Sequence, residues 1–219
     1  MAFPVNQIRA AGRSPSRFLR GDGQWASPIT GAADALRQTG GYYTSFVSGT
    51  PATAGHTRDI IQAVPFLVSK TENYDRLAFY KGNNGTATAA AWAAVYANKS
   101  ASEFYPGALI VQGTVHLLDS TEFNGAGLFA DTISLALQPG LYWLAFVSGV
   151  AASSSIFQTG AVAGATPQVL PIDVTGAPAA AIGFRGAFTY QASAPDPFPA
   201  SIARNVSTTA ALPLLRFAS

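Results

Sequence analysis

The chain has 219 residues, of which 48% are hydrophobic and only 11% are charged, and its formal net charge is +2. This length suits one large β domain or a medium domain with an appendage, and a charged share of about half the usual value is typical of surfaces that associate. The absence of cysteine excludes disulfides, thiolate metal sites and cysteine nucleophiles. We therefore expect a subunit of an assembly.

Residues 1–31 are predicted to form an extended N-terminal arm. They contain three prolines, four glycines and four arginines with little periodicity, which favours an extended segment over a packed element. All four arginines precede the first acidic residue, so the arm carries the positive charge of the chain. Because it lacks a lysine run and interleaved aromatic rings, we expect it to bind a protein surface and not nucleic acid. The predicted anchoring residues are Arg9, Arg13, Arg17, Phe18, Leu19, Arg20 and Trp25.

The stretch RFLRGDGQWASP, Arg17–Pro28, is interpreted as the junction between the arm and the body. Gly21–Gly23 offers the positive φ and the side-chain hydrogen bonds of a tight turn between apolar neighbours. Arg20–Asp22 also spells an adhesion tripeptide, but a three-letter match arises easily by chance. The arm lacks an apolar h-region and the apolar runs elsewhere are strand-sized, so neither a signal peptide nor a membrane span is predicted.

From residue 32 to residue 219 the sequence changes to short β-like runs separated by turn residues. Within DTISLAL, the residues Ile133, Leu135 and Leu137 alternate with small or polar residues, the pattern of a half-buried strand. Several such runs at spacings of about ten residues predict an all-β fold, a jelly-roll-like β-sandwich that follows the extended arm. The longer runs are Ile60–Ser69, Arg76–Lys81, Ala90–Asn98, Ala108–Leu118, Phe129–Leu137 and Leu141–Ser148.

In the segment TATAAAWAAVYANKSA a helix competes with a strand. Alanine favours a helix by intrinsic propensity. The neighbouring runs are all strand-like, however, and Trp92, Ala94 and Tyr96 fall on alternating positions. We therefore predict a strand here.

Residues for catalysis or metal binding are few. The histidines are His56 and His116, and neither has a partner at ligand spacing in its own segment. The sequence contains no G-x-S-x-G elbow and no glycine-rich phosphate loop. Asp119, Glu122 and Asp131 leave a glycosidase open as an alternative, since such enzymes need paired carboxylates. We expect no enzymatic activity, no metal and no cofactor.

Aromatic residues offer another kind of site. Trp92, Tyr96, Phe104 and Tyr105 cluster before Pro106, and rings beside Asn and Ser side chains can stack on sugars. Trp92, Tyr96 and Tyr105 are therefore the predicted glycan-binding residues. Packing in a core is the plainer interpretation of the same rings.

Two passages resemble virion proteins of tailed bacteriophages. RFLRGDGQWASP resembles an F-L-R-x-D-G-x-W segment that recurs in tail-fibre and other virion proteins, usually between an N-terminal attachment region and a β-rich body. The stretch YDRLAFY…YPGALIVQGTVHLL…ADTISLALQPGLYWLAFV resembles a virion-associated β-sandwich pattern. Its most specific part is Leu137–Ala145, where Pro139 and Gly140 are predicted to form a type II turn between two strands. The resemblance covers residues 17–28 and 60–148 and does not extend to the end of the chain.

The resemblance implies a structural component of a phage virion, a small fibre or tail-associated protein on the particle surface. Such fibres are usually homotrimers, so self-association is expected, with the arm bound to other virion proteins and the body in contact with host-surface glycans. A capsid decoration or head-fibre protein fits the same residues. A free carbohydrate-binding module is the alternative of a different class. Nucleic-acid binding and membrane insertion are not expected.

Overall fold

The computed structural model describes residues 18–19, 25–26, 37–44, 51–55, 58–81, 90–118, 127–149, 155–159, 183–205 and 210–218. The regular structure of these residues consists of β-strands, and no helix occurs among them. Within this part of the chain there is accordingly no apolar helix of bilayer-spanning length. The predicted all-β class is confirmed.

The chain divides into two units, Met1–Gln38 and Thr39–Ser219. In the first unit, β1 (Phe18–Leu19) and β2 (Trp25–Ala26) pair antiparallel. The predicted turn at Gly21–Gly23 lies outside the described residues, and so does most of the arm. The domain boundary predicted after residue 31 therefore stays a prediction.

The second unit contains the remaining described strands, which pair antiparallel throughout. The segment for which a helix competed with a strand is a strand, β7, as predicted. The strands are β3 (Tyr42–Tyr43), β4 (Pro51–Gly55), β5 (Ile60–Val68), β6 (Glu72–Lys81), β7 (Ala90–Ser100), β8 (Glu103–Gln112), β9 (His116–Leu117), β10 (Gly127–Leu137), β11 (Gly140–Gly149), β12 (Ser155–Thr159), β13 (Gly183–Ala187), β14 (Arg204–Asn205), β15 (Ala210–Ala211) and β16 (Leu214–Phe217).

These strands form two sheets. In the first sheet β6 pairs with β10, β16 and β12, while β3 continues from β16 and both β4 and β15 pair with β12. In the second sheet the order is β14-β13-β5-β11-β7-β8, and the short β9 also pairs with β7. The strand β8 therefore lies at one edge of the second sheet.

The inner core lies between the two sheets. The Phe79 ring on β6 stacks 5.3 Å from Phe129 in its own sheet and meets Phe146 of the second sheet edge-on at 5.2 Å. Along β10, Leu135 and Leu137 point into this core while Ser134 and Ala136 face solvent, as the alternating pattern predicted. The buried members are Val64, Phe66, Val68, Tyr74, Leu77, Phe79, Ala91, Ala93, Val95, Leu118, Phe129, Leu135, Leu137, Leu144, Phe146, Ala211, Leu215 and Phe217.

The outer core lies on the opposite face of the second sheet. It is covered by residues 188–203, a segment of turns and bends that we call the strap. Strands buried on both faces are expected to be almost continuously apolar, which explains the run AAWAAVYA in β7. The buried members are Ile61, Ala63, Trp92, Ala94, Tyr96, Trp143, Ala145, Val147, Phe184, Phe198 and Ile202.

Two packed sheets are the arrangement of a β-sandwich, whereas the jelly-roll connectivity stays a prediction. The turn between β10 and β11 differs from its prediction. A type II turn needs a positive φ at its third residue, but the only described glycines with a positive φ are Gly40 and Gly183. Gly140 instead begins β11 directly opposite Val68.

The C-terminal strand is tied to the centre of the first sheet by an ion pair. Arg216 Nε donates to Asp75 Oδ1 at 2.8 Å, and its Nη2 donates to the other carboxylate oxygen. This two-point contact lowers the pKa of Asp75 and raises the pKa of Arg216. The described C-terminal residues thus belong to the body, as a strand of one sheet and as the cover of the other.

Candidate functional site

The predicted arm anchors are only partly within the described residues. Arg9, Arg13, Arg17 and Arg20 lie outside them. Phe18, Leu19 and Trp25 belong to the paired strands β1 and β2, for which the structure describes the backbone. The anchoring role of all seven residues stays a prediction.

The structure places two rings of the predicted glycan platform inside the outer core. Trp92 and Tyr96 are both 0% exposed in the outer core. Trp92 Nε1 donates to the carbonyl oxygen of Gln191 at 2.7 Å, and Tyr96 Oη donates to that of Pro195 at 2.9 Å. These rings have no free face for a sugar, because the strap covers them and uses their polar atoms.

Tyr105 is half-buried at the edge of the same core. Its ring lies 4.5 Å from that of Phe184, and its single hydroxyl hydrogen lies within hydrogen-bonding reach of the carbonyl oxygens of both Pro199 and Ile202. Burial raises the pKa of Tyr105, as it does that of Tyr96. The structure therefore brings the three predicted glycan residues together, but their side chains bind the strap.

Hydrogen bonds also join the strap to β8. The Gln112 side chain donates to the Ala192 carbonyl at 2.7 Å and accepts from the Ala194 N–H at 2.6 Å. Further along, Leu109 N–H donates to the Asp196 carboxylate at 3.0 Å, and Phe198 N–H donates to the Gly107 carbonyl at 3.0 Å. The strap is thus hydrogen-bonded along the edge strand as well as packed on the sheet.

An open groove lies at one end of the second sheet, where β7, β8 and β11 approach each other. Its volume is about 400 Å³, and the groove is largely open to solvent. Phe104 projects into it with 45% of its surface exposed, the largest value among the exposed large apolar residues of the described part. The lining residues are Ala97, Asn98, Ser100, Ala101, Phe104, Gly140, Leu141 and Tyr142. We call this the Phe104 groove.

Asn98 connects the Phe104 groove to the outer core. Its Oδ1 accepts from Trp143 Nε1 at 3.0 Å and from the Tyr105 N–H at 3.2 Å. Its Nδ2 donates to the Ser100 carbonyl. The two donors on Oδ1 fix the orientation of the amide, so that Nδ2 belongs to the groove side. The Asn98 amide, which forms the polar floor of the groove, is therefore positioned by the buried Trp143.

Hydroxyl groups complete the polar lining. Tyr142 Oη donates to the Gln138 carbonyl at 2.9 Å, which leaves its oxygen able to accept. The hydroxyls of Ser100 and Ser102 lie 3.3 Å apart. The nearest charges, Lys99 and Glu103, form an ion pair of 2.8 Å that is itself exposed. The groove thus combines an exposed ring with neutral hydrogen-bonding groups and contains no carboxylate or basic side chain.

His116 and Asp131 form a pair at another edge. His116 Nε2 lies 3.0 Å from Asp131 Oδ1, and the Thr114 N–H donates to Asp131 Oδ2 at 2.9 Å. The His116 ring packs against both the Phe79 and the Phe129 ring. Since β9 belongs to the second sheet and β10 to the first, this pair fastens the sheets to each other. Asp119, Glu122 and His56 lie outside the described residues.

The described residues contain no group of three or more side chains suited to hold a metal ion. In comparisons with known proteins, no family model, no curated protein and no solved structure matches this chain. The proposals below therefore rest on the residues and contacts of this chain itself.

The sequence indicated the cluster around Phe104 but did not identify its exposed member. In the run EFYPG, adjacent residues of a strand point to opposite sides, so Phe104 and Tyr105 cannot both enter the same core. The sequence does not say which of the two is buried. Tyr142 was missed because it lies in the apolar run LYWLAFV, which reads as uniformly interior.

Proposed function

We propose that this chain is a structural protein of a tailed-bacteriophage particle. The arm attaches it to other virion proteins, and the β body is displayed on the particle surface. The resemblance of residues 17–28 and 60–148 to virion proteins supports this assignment. It is a proposal about a fibre or tail-associated protein, with a capsid decoration or head-fibre protein as the alternative location.

The observation that carries the proposal is the division of the chain. A short N-terminal unit, Met1–Gln38, has its own paired strands and separates from a large β body at Thr39. A small segment that is separate from the main body can bind a partner without disturbing the core of that body. Phe18, Leu19 and Trp25, which belong to the paired strands of that unit, would supply apolar contacts, and the arginines would supply charge.

The body has the properties of a rigid display platform. One sheet is buried on both faces, and the second core is sealed by hydrogen bonds to Trp92, Tyr96 and Tyr105. A sparsely charged surface with exposed apolar residues such as Leu67 and Ile110 favours association with copies of itself. We expect a homotrimer, in which weak surface contacts become avid through repetition.

Deletion of residues 1–31 tests the attachment role. The deleted protein should keep the β-type circular dichroism and the oligomeric mass of the full chain, because the described strands of the body lie after residue 41. It should no longer be incorporated when particles are assembled in its presence. A matched control replaces Arg9, Arg13, Arg17 and Arg20 by alanine, which removes charge and retains length. Normal incorporation of the deleted chain would overturn the proposal.

A free carbohydrate-binding module is the second candidate, and the Phe104 groove is the observation that favours it. The two candidates differ in what the arm does. A free module would bind glycans as a monomer without residues 1–31 and would show no affinity for virion proteins. Mass photometry of the full chain distinguishes a monomer from an oligomer. Gold labelling of particles with an antibody to the body shows whether the chain is on the particle, and whether it lies on the tail or on the capsid.

A further inference from the structure

We infer that the Phe104 groove is a binding site for a neutral saccharide. This inference rests on the proposed function only for its biological setting, because binding by the isolated chain does not depend on a particle. The site differs from the predicted platform of Trp92, Tyr96 and Tyr105, since those rings lie beneath the strap. It uses the neighbouring ring that the strap leaves uncovered.

The exposed ring is the first argument. Phe104 is 45% exposed although the body has two cores in which aromatic rings are packed. Its neighbours in the groove, Ala97, Ala101 and Gly140, are small, so a flat ligand can reach the ring and the floor together. Leu141 also lines the groove while packing against the outer core, and its strand partner Leu67 is 43% exposed. A sugar ring has an apolar face that suits such a surface, and its hydroxyls project from the rim of that face.

The polar groups are the second argument. Of the lining residues, Tyr142 and Ser100 carry hydroxyl groups that can donate and accept, and the Ser100 hydroxyl lies 3.3 Å from that of Ser102 beside the groove. Asn98 is held by three hydrogen bonds, to Trp143, Tyr105 and Ser100. Of its two Nδ2 hydrogens, the contacts of the described residues account for one. A side chain fixed in this way binds a hydroxyl at little cost in conformational entropy.

Charge selects the kind of saccharide. Of the residues that line the groove, none is an acid, a lysine, an arginine or a histidine. The adjacent Lys99 is paired with Glu103 at 2.8 Å and lies 5.9 Å from the centre of the Tyr105 ring. An anionic sugar would lose hydration without meeting an unpaired cation in the groove. Hydroxyl-rich, uncharged sugars therefore fit better than uronic or sialic acids.

A second copy of the chain is the competing occupant, since exposed apolar residues also mark protein interfaces. The polar lining argues against it. An apolar interface would bury the second Nδ2 hydrogen of Asn98 and the open acceptor site of the Tyr142 hydroxyl, and both would then need partners. A saccharide supplies such partners around its whole rim.

The test uses the full chain, labelled, on immobilised mannan, galactan, and α- and β-linked glucans, with polygalacturonate as the acidic probe. We expect binding to at least one neutral polymer, with little dependence on salt. Phe104→Ala should weaken it about tenfold or more, as loss of a central aromatic contact does. Phe104→Trp should retain binding. The matched control is Leu128→Ala, which removes an apolar residue of 37% exposure from the other sheet and should change nothing.

Three results would overturn the inference: no binding to any neutral polymer, equal binding by wild type and Phe104→Ala, or salt-sensitive binding to polygalacturonate alone. A change of oligomeric mass in Phe104→Ala without glycan binding would identify a second copy as the occupant. Failure of this site leaves the attachment proposal intact, because the arm deletion measures incorporation into particles. Conversely, a chain that binds glycan but never enters particles would retain the site and lose the virion assignment.

Discussion

The second sheet contributes one face to each of the two cores, and the two cores are covered in different ways. In the inner core, rings such as Phe79, Phe129 and Phe146 pack against each other across two regular sheets. In the outer core, Trp92 and Tyr96 have polar tips that bond to carbonyls of an irregular strap. A core between sheets needs only alternating apolar residues, whereas a core under a strap also needs partners for the backbone that covers it. Polar-tipped aromatic residues serve both purposes.

The inner core should be the more sensitive of the two to truncation. Phe79→Ala removes a ring that contacts both sheets and leaves a cavity that regular strands cannot close, so we expect a loss of about 3–5 kcal/mol in unfolding free energy. Urea denaturation followed by circular dichroism measures it. Exposed Leu128→Ala is the control and should cost far less. Equal losses for the two variants would contradict this description of the inner core.

The outer core should respond through the strap. Trp92→Phe retains most of the ring but removes the Nε1 donor from the Gln191 carbonyl, so we expect a loss of about 1–3 kcal/mol. Limited proteolysis should then cut within residues 188–203 before the sheets. Phe146→Leu, an inner-core change, is the control and should leave the order of cleavage unaltered. Faster cleavage of both regions together would show that the two layers do not respond separately.

High pH should destabilise the outer core, which contains the tyrosines with raised pKa values, without any mutation. Burial raises the pKa of Tyr96, Tyr105 and Tyr190 above the ordinary value of 10.0. Folding therefore favours their protonated forms, and this contribution to stability is fully present below about pH 10 and is lost as the pH rises through the folded-state values. Melting temperature and phenolate absorbance, followed from about pH 8 to about pH 12, measure the effect.

A matched variant assigns the alkaline effect. Tyr105→Phe should show a smaller alkaline loss of stability than the wild type, because one of the three phenols is gone. Its stability at neutral pH should fall by about 1 kcal/mol, the usual value of one hydrogen bond. If all three tyrosines titrated near pH 10 with no change in melting temperature, the strap would not be held through them.

The sequence was sufficient for the strand content of the body but not for its layers. Alternation in DTISLAL predicted a half-buried strand, and β10 has that pattern. In β7 the run AAWAAVYA lacks polar residues at alternate positions, which is typical of a strand buried on both faces. Trp92 bonds to Gln191, 99 residues away. A covering segment without periodicity has no local signal of its own, so the sequence does not show which residues cover Trp92 and Tyr96.

The same limit applies to the candidate site. Composition placed aromatic residues near residue 104, but the choice between Phe104 and Tyr105 depends on where the strap ends. Tyr105 reaches the carbonyls of Pro199 and Ile202, which only the folded chain brings near. Phe104 is left at the groove because the strap binds its neighbour.

The contacts of the strap with β8 affect whether a strand of another molecule can add to this edge of the second sheet. An edge strand with free N–H and C=O groups invites strands of other molecules to add to it. In β8 two of these edge groups are already hydrogen-bonded within the chain: the Gly107 carbonyl accepts from the Phe198 N–H, and the Leu109 N–H donates to the Asp196 carboxylate. The strand is also interrupted by three register shifts and a proline, Pro106. These features oppose the addition of a further strand at this edge of the second sheet.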